Sequence, residues 1–209
     1  MFSVCTVFVE QGGLEATIAG MREAETGFNR EKGVLQRYFF QCETQPHVIW
    51  SLTEWTSEKH HNNAAQSIMK TRRDDRIASA AFGPNPYFEI FCEADPLSFG
   101  SPTADCRFFV VAHGTVSEKM SGRYLELRKK RVISLGQRYP WFGLFSNTYN
   151  STEFVAFLGF ESREAWAAVR SVEDMTIEEY LLTGLRVPMG MSLLAGFNQF
   201  LCQRLDLAG

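Results

Sequence analysis

Apolar positions along this chain fall into short alternating blocks, separated by stretches with three-to-four-residue spacing, and the same succession of blocks comes round twice. The run Phe2-Ser3-Val4-Cys5-Thr6-Val7-Phe8-Val9 predicts a strand over 2–11. After Gly12-Gly13, Leu14, Ile18, Met21 and Glu25 recur at helical spacing and predict a helix over 14–30. Blocks at 34–43 and 47–55 predict a hairpin around Thr44-Gln45-Pro46. Ser57 stands where it can cap a polar helix over 58–80, which Gly83-Pro84-Asn85-Pro86 breaks before a fourth strand at 87–95. The order is βαββαβ.

Beyond a turn-rich stretch at 96–105 the order repeats: strand 106–116, Ser117 as N-cap, helix to about 138, strands 141–150 and 153–161 around Asn150-Ser151-Thr152, a helix from Arg163, and a strand at 196–206. Val48 to Glu58 and Glu153 to Arg163 match as strand-to-helix junctions, with Trp55 against Phe160 and Ser57 against Ser162. The expected domains are a first ferredoxin-like repeat at 1–95, a linker at 96–105 and a second repeat at 106–209. Several strands are apolar at consecutive positions, such as Phe108-Phe109-Val110-Val111, so both sheet faces require cover. The expected fold class is therefore α+β, two tandem ferredoxin-like βαββαβ units whose antiparallel sheets pack into an α/β barrel.

Composition narrows the function classes. A net charge of -3 and pI near 5.9 give no basic field for a phosphate backbone, and the run Arg128-Lys129-Lys130-Arg131 reads as a solvated helix face, so no nucleic-acid partner is expected. Five scattered cysteines, Cys5, Cys42, Cys92, Cys106 and Cys202, fit buried reduced thiols in a cytoplasmic protein. The N-terminus lacks a basic signal-peptide region and no apolar run is long enough to span a bilayer, so no membrane association is expected. Nucleotide-loop, zinc-hydrolase, serine-hydrolase and CxxC spacings are absent.

Leu52-Thr53-Glu54-Trp55-Thr56-Ser57-Glu58 resembles the strand-to-helix junction of antibiotic biosynthesis monooxygenase-like (ABM) domains of the dimeric α/β barrel superfamily. Such domains are about half this chain's length and dimerise into a barrel, so the resemblance implies a tandem duplication acting as a built-in dimer, either a monomer or a homodimer. It also implies cofactor-independent oxygenation of polycyclic phenols, with haem binding and degradation in some relatives and a large group with no assigned chemistry. The histidine that ABM domains often carry nine residues past the Trp is replaced by Ala64 and, in the second copy, Val169. The Asn, Trp and His of the haem-degrading relatives become Cys5, Ala64 and Asp74, and no His follows His113 as a proximal ligand in the later half. No cofactor is expected on this ground.

Candidate chemistry sits in three places. Arg107, Phe109, Val111 and His113 share one strand face, and Asn147 and Tyr149 share a face of the neighbouring hairpin. As a pocket, Arg107 would hold an anionic group, His113 would move protons, and Tyr149 with Asn147 would orient the ligand, a small hydrophobic or aromatic molecule; the competing reading is a structural network at strand ends. His60 and His61 point about 100° apart on a helix and cannot share a metal. They read as a solvated helix start or, if one of them is functional, as a proton shuttle near Trp55, with His60 and Trp55 as the substrate-binding candidates. Met189 and Met191, bracketed by Gly184, Gly190 and Gly196, read equally as a lid over a ligand or as a buried connection. Glu89 and Glu93 lie about 13 Å apart along a strand, too far for a shared acid/base pair, and read as polar surface or as hydrogen bonding between the copies. The enzyme reading competes with a non-enzymatic ligand-binding or structural protein, and divergence between the copies predicts chemistry in one of them only.

Overall fold

A computed structural model of the chain describes residues 1–10, 12–27, 33–64, 87–102, 105–135, 140–171, 195–205 and 207. The strands are β1 (Phe2–Phe8), β2 (Val34–Cys42), β3 (Val48–Trp55), β4 (Tyr87–Ala94), β5 (Phe108–Val116), β6 (Trp141–Asn147), β7 (Asn150–Phe160) and β8 (Ala195–Arg204). The helices are α1 (Leu14–Gly27), α2 (58–64), α3 (Ser121–Leu135) and α4 (Arg163–Ser171). The backbone divides into two compact units, Met1–Cys92 with Arg204–Gly209, and Glu93–Gln203.

In the first unit the sheet runs β4-β1-β3-β2, antiparallel throughout, with β1 and β3 central. Register places Cys5 opposite both Ser51 on β3 and Glu89 on β4, and because side chains alternate, Ser3, Cys5 and Val7 share one face. That face meets α1: Cys5, Val7, Phe39 and Ile49 form a core with Met21, Leu14 and Ile18. The chain's last residues complete it, since Leu205 N–H donates to the Phe39 carbonyl and Leu207 is buried in the same cluster. Gly33, at φ 86°, starts β2 directly under α2; a Cβ there would collide with the His60 ring, so the close approach and the left-handed backbone both call for glycine.

The second unit repeats this order as β8-β5-β7-β6. Phe108, Val110, Ala112, Phe142, Leu144, Phe154, Ala156 and Phe160 form its core with Tyr124 of α3 and Trp166 of α4. The stretch expected as a linker is tied to β6: Asp95 N–H donates to the Leu144 carbonyl, Ser98 Oγ bonds to both backbone groups of Leu144, and Phe99 pairs with Phe142. Two local expectations change. The β6–β7 turn is Thr148-Tyr149, fixed by the Asn147 side-chain oxygen accepting from Tyr149 N–H, rather than Asn150 to Thr152. Ser117 precedes a single 3-10 turn, Glu118–Met120, and makes no side-chain cap.

Ile49, Trp50, Ser51 and Leu52 are consecutive and all buried, as are Phe108 to Ala112, so both faces of each sheet are covered. The five cysteines are buried and form no disulfide. No described helix is long and apolar enough to cross a membrane.

Candidate functional site

The two units differ most on the sheet face that meets the helices. In the first unit this face carries Ser3, Cys5, Arg37, Ser51, Thr53, Trp55, Glu89 and Phe91, held there by the strand register. Ser3, Ser51 and Thr53 are each more than nine-tenths buried. Burial of so many polar groups is costly unless they bond to one another or to a ligand. Trp55 Nε1–H donates to Ser3 Oγ at 3.0 Å.

His61 closes this face from α2. Only 5% exposed, its ring sits edge-on between Trp55 and Phe91, with centroids 4.9 Å and 4.3 Å away. His61 Nε2 lies 3.1 Å from Glu89 Oε1, and Nδ1 lies 3.3 Å from the Asn62 side-chain oxygen. A carboxylate accepts only, so Nε2–H donates in this contact, and the Asn62 side-chain oxygen is likewise placed to accept from Nδ1. Glu89 also acts on its cross-strand neighbour Cys5: burial first, then the Glu89 charge, push that thiol up to about 12, while the Arg37 guanidinium and a Ser51 hydrogen bond oppose the rise. Cys5 is therefore a neutral thiol at ordinary pH, not a nucleophile. The Arg37 guanidinium lies over Phe39, 4.9 Å from the ring centroid.

Aligning the junctions at Trp55 and Phe160 carries each of these positions onto the second unit through the strand register. Cys5 becomes Ala112, Ser51 becomes Ala156, Arg37 becomes Phe142 and His61 becomes Trp166. Trp166 packs on Phe108 at 5.5 Å, and Glu89 becomes Gln199.

The residues predicted from sequence are scattered across this framework. Trp55 lies in the polar face just described. His60 is exposed, its Nδ1 2.9 Å from both Thr56 Oγ1 and Ser57 Oγ, and Ser57 Oγ caps α2 by accepting from His60 N–H. His113 and Asn147 do meet, but through Glu153: Oε1 lies 2.8 Å from His113 Nε2, and Oε2 accepts from Asn147 Nδ2 at 2.6 Å. This trio occupies the face of β5 and β7 turned away from the helices, shared with Phe109, Trp141, Phe145 and Phe157. Arg107 is exposed just before β5, six residues or about 20 Å of strand from His113. Tyr149 is 68% exposed in the turn. Met189 and Met191 lie outside the described residues.

Sequence reasoning passed over His61 and Glu89, although both residues were in view. The available signal was Glu89 on a strand whose alternation aims it at the same side as Cys5 and Ser51. Among the described residues no three His, Cys, Asp or Glu side chains converge on a metal position. Of the positions aligned with the haem-degrading relatives, Cys5 and Ala64 are buried in the first unit, and Asp74 lies outside the described residues.

No family model and no curated protein matches the sequence. Solved structures do match in fold. An anthrone oxidase-like protein superposes with TM-score 0.71 at 12% identity, covering 98% of this chain and 91% of its own. A candidate monooxygenase from Fusobacterium nucleatum gives 0.67 at 15% identity, covering 98% and 92%. A ferredoxin-fold protein from Listeria monocytogenes, related to antibiotic biosynthesis monooxygenases, gives 0.52 at 9% identity, covering 96% and 94%. The chain thus has the α+β fold of the ABM-like proteins of the dimeric α/β barrel type.

Proposed function

We propose that this protein is a small-molecule enzyme that oxygenates an aromatic or lipophilic substrate without a cofactor, and that its chemistry resides in the first unit. One observation carries the proposal: the His61–Glu89 pair is set among Trp55, Phe91, Ser51 and Arg37 on a helix-facing sheet, where the second unit has Trp166 for His61, Ala156 for Ser51 and Phe142 for Arg37. Pairs of this kind collect where proton transfer is needed, in surroundings too apolar for solvated charge.

Glu89 accepts from Nε2–H and so orients the imidazole, and Nδ1, once the Asn62 side-chain oxygen gives way to the substrate, takes a proton from an acidic C–H or O–H. Arg37 supplies the positive charge against which the substrate anion is held. For an activated CH2 group the balance is simple. Proton loss leaves a carbanion, which gives one electron to dioxygen; the radical pair combines into a peroxide anion that takes the proton back from His61, and the resulting hydroperoxide loses water to leave a carbonyl. Dioxygen is the oxidant, one molecule per turnover, and no other reductant is consumed.

The test uses anthrone as probe, with oxygen uptake measured against quinone absorbance. One dioxygen is expected per carbonyl formed, with His61→Ala lowering kcat by roughly a hundredfold, the usual contribution of a positioned base, and Glu89→Gln lowering it by less. His113→Ala leaves the rate unchanged. Saturable binding of the probe with no oxygen uptake would mean a ligand-binding protein instead; oxygen uptake that survives His61→Ala would remove the base from the scheme.

A further inference from the structure

His61 is held at both ring nitrogens, and the two contacts differ in kind. Glu89 is fixed by the pairing of β4 with β1, and its 3.1 Å contact with Nε2 lies within the ordinary hydrogen-bond range. Asn62 is exposed, and its 3.3 Å contact with Nδ1 lies just beyond that range. Neighbouring helical residues point about 100° apart, so the Asn62 side chain turns back along the helix surface to make it. A proton donor has to come within about 2.6–3.2 Å of Nδ1, and Asn62 fills that position whichever way its amide is turned. With the ring 5% exposed and edge-on to Trp55 and Phe91, Nδ1 is covered until that side chain moves.

The backbone beneath is pinned. Thr56 N–H donates to the Gly33 carbonyl at 2.8 Å, Ser57 Oγ accepts from His60 N–H, and the His60 ring lies so close to Gly33 that a Cβ there would collide with it. The start of α2 thus keeps His61 in place, while an exposed side chain such as Asn62 changes rotamer in picoseconds to nanoseconds. We propose that Asn62 is a positioning residue that gates His61: with the amide on Nδ1 the imidazole is closed, and with the amide turned to solvent Nδ1 opens to a small molecule carrying an acidic C–H or O–H. The gate rests on the reading of His61 as the base, and adds that one side chain sets access to it.

The full chain is treated at neutral pH with diethyl pyrocarbonate, which acylates neutral imidazole nitrogens, and peptide fragmentation follows His47, His60, His61 and His113 separately. Asn62→Ala is expected to raise the rate at His61 about fivefold, the equivalent of one hydrogen bond, with His47 and His113 unchanged. Asn62→Asp, whose carboxylate accepts more strongly from Nδ1–H, lowers the rate below wild type. An unchanged His61 rate in Asn62→Ala, a rise shared by His47 and His113, or an Asn62→Asp rate as high as that of Asn62→Ala overturns the proposal. The reagent needs neither substrate nor dioxygen, so the expected rates in a protein that consumes no oxygen with anthrone support the gate and remove only the oxygenase reading. Where anthrone is consumed, Asn62→Ala lowers KM while kcat stays within about twofold, because the amide is displaced on binding and not in the chemical step. A fall in kcat at unchanged KM overturns the gate.

Discussion

Trp55→Phe separates the polar bonding of the first unit from its packing, because phenylalanine already stands at the equivalent place, Phe160, in the second. Trp55 is 5% exposed and Ser3, which accepts its indole N–H at 3.0 Å, is 3% exposed. Taking the donor away strips a buried hydroxyl of that bond, at about 1–3 kcal/mol. Trimming indole to phenyl removes roughly 40 Å² of buried apolar surface, or about 1 kcal/mol at 25 cal/mol per Å². The expected total is about 2–4 kcal/mol, read from guanidinium denaturation followed by far-ultraviolet circular dichroism, since tryptophan fluorescence is itself altered. The decisive comparison is the double variant. Ser3→Ala in the Trp55→Phe background removes the stranded hydroxyl, so the two costs fall short of additivity by about 1 kcal/mol or more. Strict additivity, or a Trp55→Phe cost below about 1 kcal/mol at unchanged denaturant slope, would refute the bonding read from this face.

Cys5 gives a pH prediction of definite sign. Its folded thiol holds a proton to about 12, against 9.0 for the unperturbed group, so the unfolded chain releases that proton first and stability falls as pH rises between those values. At about pH 10 the loss from this residue is about 1.4 kcal/mol, and Cys5→Ala flattens that part of the stability curve while leaving the slope below about pH 9 as it was; equal alkaline slopes in the two proteins would contradict it. In the second unit, Glu153→Leu leaves the Asn147 amide and the His113 ring without their shared acceptor at the rim of an aromatic face. A loss of about 2–4 kcal/mol is expected in thermal or denaturant melts, and a neutral result would mean that the Glu153 carboxylate is solvated rather than built in.

Much of the architecture was legible along the chain, and for a local reason. Strand and helix periods of two and 3.6 are written by neighbouring residues, so Val48–Trp55 and Phe108–Val116 emerge within about two residues of their expected ends. The doubling of the pattern and the apolar character of consecutive strand positions likewise needed no partner to be seen, and they pointed to two α+β units with both sheet faces covered. The Thr148-Tyr149 turn was misplaced because the Asn147 side chain, reaching back to a backbone N–H, decides it, and several neighbouring polar residues could have done the same.

The site was less legible because its contacts are long-range. His60 and His61 are equivalent in sequence, and helix geometry says only that they diverge. Packing of α2 on Trp55 and Phe91 turns His61 inward and leaves His60 on the Ser57 cap. Glu89 reads as surface until strand register sets it beside Cys5, and its partner on α2 is 28 residues away. Glu153, quoted from the sequence only as part of a repeat, proves to be the carboxylate that joins His113 to Asn147. The chain by itself determined which residues alternate and where the repeat falls, since those are properties of neighbours. Only the tertiary structure decided which polar groups share a buried face, because sheet register and helix docking bring together residues that the sequence keeps far apart.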